Sequence, residues 1–406
     1  MKRQLIGLGA DQAVSSLITL VLSVYAARDS SVNQFGIFAV TYAIFFVLLG
    51  LSRSFVGEVN LITGRAELDR AGDWRSFSST AALIAGLASG IILLASSGVI
   101  APADARWIPW SFVIVTPVAV LADTIRYTAF TDELHDRALT VDLIWLCGAL
   151  LGAPAVGLLG IPPIPAAILG WGLGAGFGII VAMLRWPQVR PRMNGARSWI
   201  ADRRTAGAQY AADFVAASGI GQAATALIPL VASLAVAGGL RAGYVITGPL
   251  NVAYSAMIVY LIPRIRLSLS HDRVLPRPAP VVWSVFATLC GLYAVAVVLI
   301  PYQVGEFLLG SSWYSGQSAA PALIAAFLFI SIAQVLVQVM RLRGSAGLVV
   351  RVRLFASAFQ SGALLAGAAA FGAVGAATAS ALAALISVAA WWIALLHSHR
   401  SSGGDS

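Results

Sequence analysis

The chain alternates long apolar runs with short segments in which its polar residues collect. Runs of about 18 or more largely apolar residues can cross a bilayer, because about 20 residues of helix match a hydrocarbon core about 30 Å thick. This pattern predicts spans near 5–27, 34–56, 77–99, 108–130, 139–158 and 165–184. A polar segment, 185–207, follows, then spans near 208–236, 243–263, 281–300, 320–340, 353–371 and 375–396. Inside several runs the polar residues share one helical face. On the first, Asp11, Ser15, Thr19 and Ser23 recur at every fourth position, slightly more than one turn apart. A lipid-facing helix has no use for an aspartate and three hydroxyls in register, so that face should look at protein or water. Comparable stripes are Ser218, Gln222 and Thr225 on the seventh run, Thr247, Asn251 and Ser255 on the eighth, and Ser331, Gln334, Gln338 and Arg341 on the tenth.

The second six spans repeat the plan of the first. Each set opens with a long helix that is polar on one face, then makes a brief outer turn ending in glycine (Gln34-Phe35-Gly36; Arg241-Ala242-Gly243). Each has basic inner loops after its second and fourth spans. An even number of spans per repeat inserts both halves the same way up, related by an axis along the membrane normal. The expected architecture is an all-α polytopic membrane protein of about 12 transmembrane helices, two six-helix parallel repeats around a central cleft. The halves are 1–184 and 208–396, joined by a basic cytoplasmic linker, 185–207, with a flexible cytoplasmic tail at 397–406.

Composition agrees: 59% of residues are apolar and 11% charged, against about 25% charged in soluble domains. With the N-terminus inside, nearly all basic residues fall on inner segments, including six arginines from Arg185 to Arg204, while Arg28, Arg106 and Arg241 lie outside. This positive-inside bias puts both termini in the cytoplasm of a plasma or inner membrane. The net charge of +9 is therefore a topology signal. No polar stretch is long enough for a soluble nucleic-acid-binding or catalytic domain. No cleavable signal follows Met1-Lys2-Arg3, and Cys147 and Cys290 lie in separate spans with no disulfide expected.

An ionisable residue in a span costs about 2.5–3.5 kcal/mol on insertion scales, so function is its default reading. Arg53 and Arg126 are the two basic residues within predicted spans, and a guanidinium offers phosphate a planar pair of donors. They are the candidate substrate contacts, with Ser15, Thr19, Gln222, Asn251, Gln334 and Gln338 lining the path. Asp11, Asp123 and Asp213 are candidates for ion coupling. Structural roles compete: Asp11, Asp142 and Asp213 can cap helix starts, and Arg53 can pair with Asp11 or Glu58. Asp123 with Arg126 can be a self-contained i, i+3 pair, and Pro229 should kink the seventh helix. Gly170, Gly174 and Gly178 read as close helix packing. The histidines (His135, His271, His397 and His399) lie in loops or the tail without carboxylates at ligand spacing, which argues against an enzyme, a metal centre or a cofactor.

Ala26-Ala27-Arg28 followed by Asn33-Gln34-Phe35-Gly36-Ile37-Phe38 resembles the opening hairpin of Wzx-type polysaccharide flippases, members of the MATE-like MOP flippase superfamily. Leu308-Leu309-Gly310 through Trp313-Tyr314 to Pro321 is similar to that family's stretch before the tenth span. The resemblance implies alternating-access export of a lipid-linked oligosaccharide, with membrane lipids and the lipid-linked glycan as partners. It implies no nucleic acid, and a monomer working near glycan-assembly enzymes. Two alternatives stand beside it: a MATE-like cation-coupled drug antiporter, and a major facilitator transporter. The second is suggested by the Asp69-Arg70-Ala71-Gly72 core in the loop after the second span.

Overall fold

A computed structural model describes residues 2–402 apart from 269–273, 277 and 344–345. The described residues are helices and connecting turns. Helix α1 is Lys2–Arg28. α2 is Val32–Ser52, continuing through a π turn at Arg53–Glu58 into Val59–Thr63. α3 is Trp74–Ile100, α4 Trp107–Thr131, α5 His135–Gly157 and α6 Pro163–Arg185. α7 runs Ala196–Phe214, through a π turn at Val215–Gly219, to Ile220–Val231. α8 is Leu234–Ser268, α9 Pro278–Leu299, α10 the short Tyr302–Leu309 and α11 Trp313–Leu342. The last helical stretch breaks at Phe371 and Gly372 into α12 (346–370) and α13 (373–402). Among the described residues, nine helical stretches are long and apolar enough to cross a membrane, with Ala13–Arg28 a shorter apolar helix beside them.

The chain forms two compact units, Met1–Ala226 and Leu227–Ser406. In the first, the α1–α2 turn is built by its serines. Ser30 Oγ donates to the Ala26 carbonyl at 2.7 Å, closing α1. Ser31 and Gln34 then form a capping box that opens α2, each side chain meeting the other's backbone N–H. Downstream, Phe35, Phe38, Tyr42 and Phe45 stack along α2 and against Phe112 of α4, and Phe45 meets Trp171 of α6 edge-on at 5.7 Å. α5 and α6 pack backbone to backbone: a Cβ on Gly148 would lie 2.1 Å from Gly174, and one on Gly152 2.7 Å from Gly170. Such contact is how membrane helices associate without a hydrophobic drive. The exposed apolar residues of α3 (Leu87, Ile91 and Leu94) form a face suited to lipid.

In the second unit, Tyr254, Phe286 and Phe327 make the aromatic contacts among α8, α9 and α11. Gly305 receives the Trp313 indole, and Gln317 donates to the Val297 and Ile300 carbonyls at 3.0 and 3.1 Å, satisfying the end of α9.

Three local expectations are corrected. The outer turn expected at Arg241-Ala242-Gly243 is helical, and the break falls at 232–233, where Ser233 Oγ accepts from the Val236 N–H. Gly243 is small because α8 meets Gly316, Ala319 and Leu323 of α11 there. Pro229 lies in the last turn before α7 ends at Val231, so the helix expected to kink there and run on to 236 instead stops. The polar segment after α6 is largely helical, since α7 already begins at Ala196.

Candidate functional site

Five charged residues from four helices meet inside the first unit. The π turn of α2 sets one side: a π turn inserts a residue into the helical ladder and is frequent at functional sites. It begins at Arg53, and Gly57 within it leaves room for Tyr127 of α4, whose ring would lie 2.8 Å from a Cβ there. Arg53 Nε and Nη2 donate to the two carboxylate oxygens of Asp123, both at 2.9 Å. One turn on, Arg126 Nη1 also donates to Asp123 Oδ1, at 3.3 Å. Arg126 Nε donates to Asp11 Oδ2 of α1 at 3.0 Å and stands 3.4 Å from Asp142 Oδ2 of α5. The guanidinium of Arg53 lies 5.5 Å from the centre of the Tyr127 ring, and that of Arg126 lies 5.5 Å from the centre of Phe130.

Asp11, Asp123, Asp142 and Arg126 are all buried, Asp142 to 1% exposure. The Arg53 side chain keeps 26% exposure, the most open of the five. Asp123 accepts three hydrogen bonds from the two guanidiniums, whereas Asp11 Oδ1 and both Asp142 oxygens have no hydrogen-bond partner among the described residues. Glu58, at the far end of the same π turn, adds a further carboxylate close enough to act on Arg53.

The i, i+3 pair of Asp123 with Arg126 is present but not self-contained. Arg53 holds Asp123 rather than Asp11 or Glu58, and Arg126 reaches Asp11 as well as Asp123. Asp11 and Asp142 are thereby tied into a network rather than left as helix caps. Asp142 is the member that residue type alone underweighted, although an acid inside a span was the available signal.

The other candidates are distributed over further helical positions. Thr19 and Ser23 donate to the carbonyls of Ser16 and Thr19 on their own helix, and Ser15 is half-buried nearby. Asp213 and Gln222 are half-buried on α7. Asn251, exposed on α8, and half-buried Gln334 and Gln338 on α11 belong to the second unit, where those two helices pack together.

A second ionic cluster closes the arginine-rich end of the first unit. Arg75, at the start of α3, binds Asp132 at the end of α4 through Nε at 2.6 Å and Nη2 at 2.5 Å. Arg75 also reaches Asp69 at 3.1 Å, and Arg65 reaches Asp69 at 3.3 Å. The Trp74 indole N–H donates to Asp69 at 3.0 Å and, with Arg75 and Arg65, holds that carboxyl below its usual range. The Asp132 carboxylate is thus committed to Arg75. The segment after α6 is strapped to α3 alongside. Ser76 donates to the Gln188 carbonyl, Thr80 exchanges hydrogen bonds with Arg192, and the Arg192 guanidinium pairs with Asp73 at 2.6 Å.

No protein-family model and no curated protein matches the chain. Solved structures do. An inward-facing multidrug-resistance MATE transporter of the MOP superfamily superposes with TM-score 0.69 at 12% identity, over 96% of each chain. An outward-facing one gives 0.58 at 12% identity, over 100% of this chain and 96% of that one. A MOP-superfamily transporter from Pyrococcus furiosus, described by the reversed polarity of its binding pocket, gives 0.60 at 12% identity, over 98% and 95%. The chain therefore has the two-repeat, all-helical membrane fold of the MATE transporters of the MOP superfamily.

Proposed function

We propose that this protein is an alternating-access transporter that moves a lipid-linked oligosaccharide precursor from the inner to the outer leaflet of the cell membrane, with both termini in the cytoplasm. The mode of action rests on fold, since the similar MATE transporters include inward- and outward-facing forms. The observation that carries the substrate class is Arg53. It is the most exposed member of the network, and the planar donor pair it gives Asp123 is the pair a phosphate oxygen face would take. A pyrophosphate group would compete with Asp123 for it, while Asp11, Asp123 and Asp213 supply carboxylates for ion coupling. The opening-hairpin resemblance points the same way.

A second reading is favoured by the excess of carboxylates over guanidiniums in the network: a cation-coupled antiporter of cationic drugs. Deleting the gene separates the two. The flippase reading expects a lipid-linked glycan retained on the inner leaflet and reduced surface polysaccharide. Altered drug sensitivity with intact surface glycans would replace it by the antiporter reading.

A further inference from the structure

The C-terminal end of α6 gathers arginines that belong to neither ionic cluster. Arg137, in the first turn of α5, holds its guanidinium 5.1 Å from the centre of the Trp186 ring, which is buried beneath it. A guanidinium over an aromatic face is oriented by the ring while its N–H groups stay open to a ligand. Arg190 Nε donates to the Met183 carbonyl, one turn before Trp186, at 3.0 Å, which leaves its two Nη groups for another acceptor. Arg185 is the exposed last residue of α6. Among the described residues none of these three arginines pairs with a carboxylate. The segment that presents them is fixed: Trp186 and Val189 are buried, and the bonds of Ser76 and Thr80 to Gln188 and Arg192 tie it to α3. One cation is enough to offset a helix C-terminus. Three around one last turn leave positive charge over.

From this charged end α6 turns an apolar ridge outward. Leu173, Phe177, Ile180 and Leu184 recur at i, i+4, i+7 and i+11, and each is more than half exposed. From Leu173 to Leu184 the helix rises about 16 Å, close to half of a hydrocarbon core about 30 Å thick. That is the depth of acyl chains in one leaflet, and a soluble anion would make no use of it. We propose that Arg137, Arg185 and Arg190 form a site for an anionic phospholipid, with its phosphate on the guanidiniums and its chains along the ridge from Leu184 to Leu173. Clustered arginines at the end of membrane helices suit such headgroups. A zwitterionic lipid carries the same phosphate, but its cationic group would meet the same arginines.

The leaflet follows from the orientation proposed above and is the inner one. Binding itself depends on neither the orientation nor the transported substrate, so the lipid site and the transport reading can fail separately. The experiment is thermal unfolding of the purified, delipidated full-length protein in detergent. It is titrated with phosphatidylglycerol, with phosphatidylcholine and with water-soluble glycerol phosphate. The expected result is a saturable Tm rise with phosphatidylglycerol, a much smaller one with phosphatidylcholine and none with glycerol phosphate. Arg137→Gln with Arg190→Gln should raise the half-saturating phosphatidylglycerol concentration about tenfold or more. Arg70→Gln with Arg204→Gln, which removes two exposed arginines elsewhere, should leave it unchanged. If the first pair does not fold, Arg185→Gln with Arg190→Gln, both exposed, carries the same expectation. An equal response to phosphatidylcholine overturns the proposal in favour of chain contact alone, and a Tm rise with glycerol phosphate in favour of a soluble-anion site. Equal weakening by the Arg70 and Arg204 pair, or none by the folded variants at the site, overturns it in favour of diffuse surface charge.

Discussion

Arg53 and Asp123 are each other's main partner, through two parallel contacts in a largely buried site. Removing Arg53 leaves Asp123 only its longer contact with Arg126, and removing Asp123 takes the bidentate partner from Arg53; breaking a fully buried pair costs about 3–5 kcal/mol, an upper bound here. Arg53→Gln and Asp123→Asn should therefore each lower stability, by less than that bound, while the double substitution recovers most of the loss; chemical denaturation in detergent measures all three. Pairing Arg53→Gln with Asp11→Asn should give no such rescue, because Asp11 is bound to Arg126. For transport, Arg53→Lys keeps the charge without the planar donor pair and should retain part of the wild-type rate, and Arg53→Ala little of it. That acids and bases inside spans would matter was legible from their cost in a membrane. Which acid meets which base was not, because α1, α2, α4 and α5 converge only in three dimensions and helical spacing within one span says nothing about its neighbours.

The contact of α2 with α7 shows how two helices are held in the first unit. A Cβ on Gly50 would fall 1.9 Å from the Phe214 ring, and one on Gly207 would fall 2.6 Å from Phe55. Both π turns lie beside these contacts. Gly50→Ala should overpack the crossing and destabilise by about 1–3 kcal/mol. Adding Phe214→Leu should relieve part of that, as read by thermal unfolding. At the arginine-rich end, Asp132→Asn should loosen the loop 64–73 by weakening its ties to Arg75 and Arg65. Faster hydrogen exchange confined to that loop and the start of α3 is the expected result. Element existence was readable from apolar runs, and the first turn from Ser30, Ser31 and Gln34. The second outer turn was misplaced because Gly243 carries the same residue type for packing that Gly36 carries beside a turn. The early start of α7 was hidden by its arginines, which suit an interfacial helix as well as a loop.

At the level of the whole molecule, the all-helical, two-repeat membrane architecture followed from hydropathy and loop lengths. Substrate chemistry did not, since the polar stripes of Ser15 and Thr19, or of Gln334 and Gln338, suit many solutes. The proposed orientation has its own check. In a variant lacking Cys147 and Cys290, a cysteine at exposed Tyr314 should react with an impermeant thiol reagent in intact cells, and one at exposed Ser198 should resist it. The most direct test of the central claim is leaflet transfer itself. The purified protein is reconstituted into vesicles containing a fluorescent pyrophosphate-linked oligosaccharide lipid, and the fraction quenched from outside is followed in time. The account predicts transfer well above protein-free vesicles, much reduced in Arg53→Ala. Transfer no faster than in empty vesicles, from the same preparation that moves a lipophilic cationic dye, would contradict it.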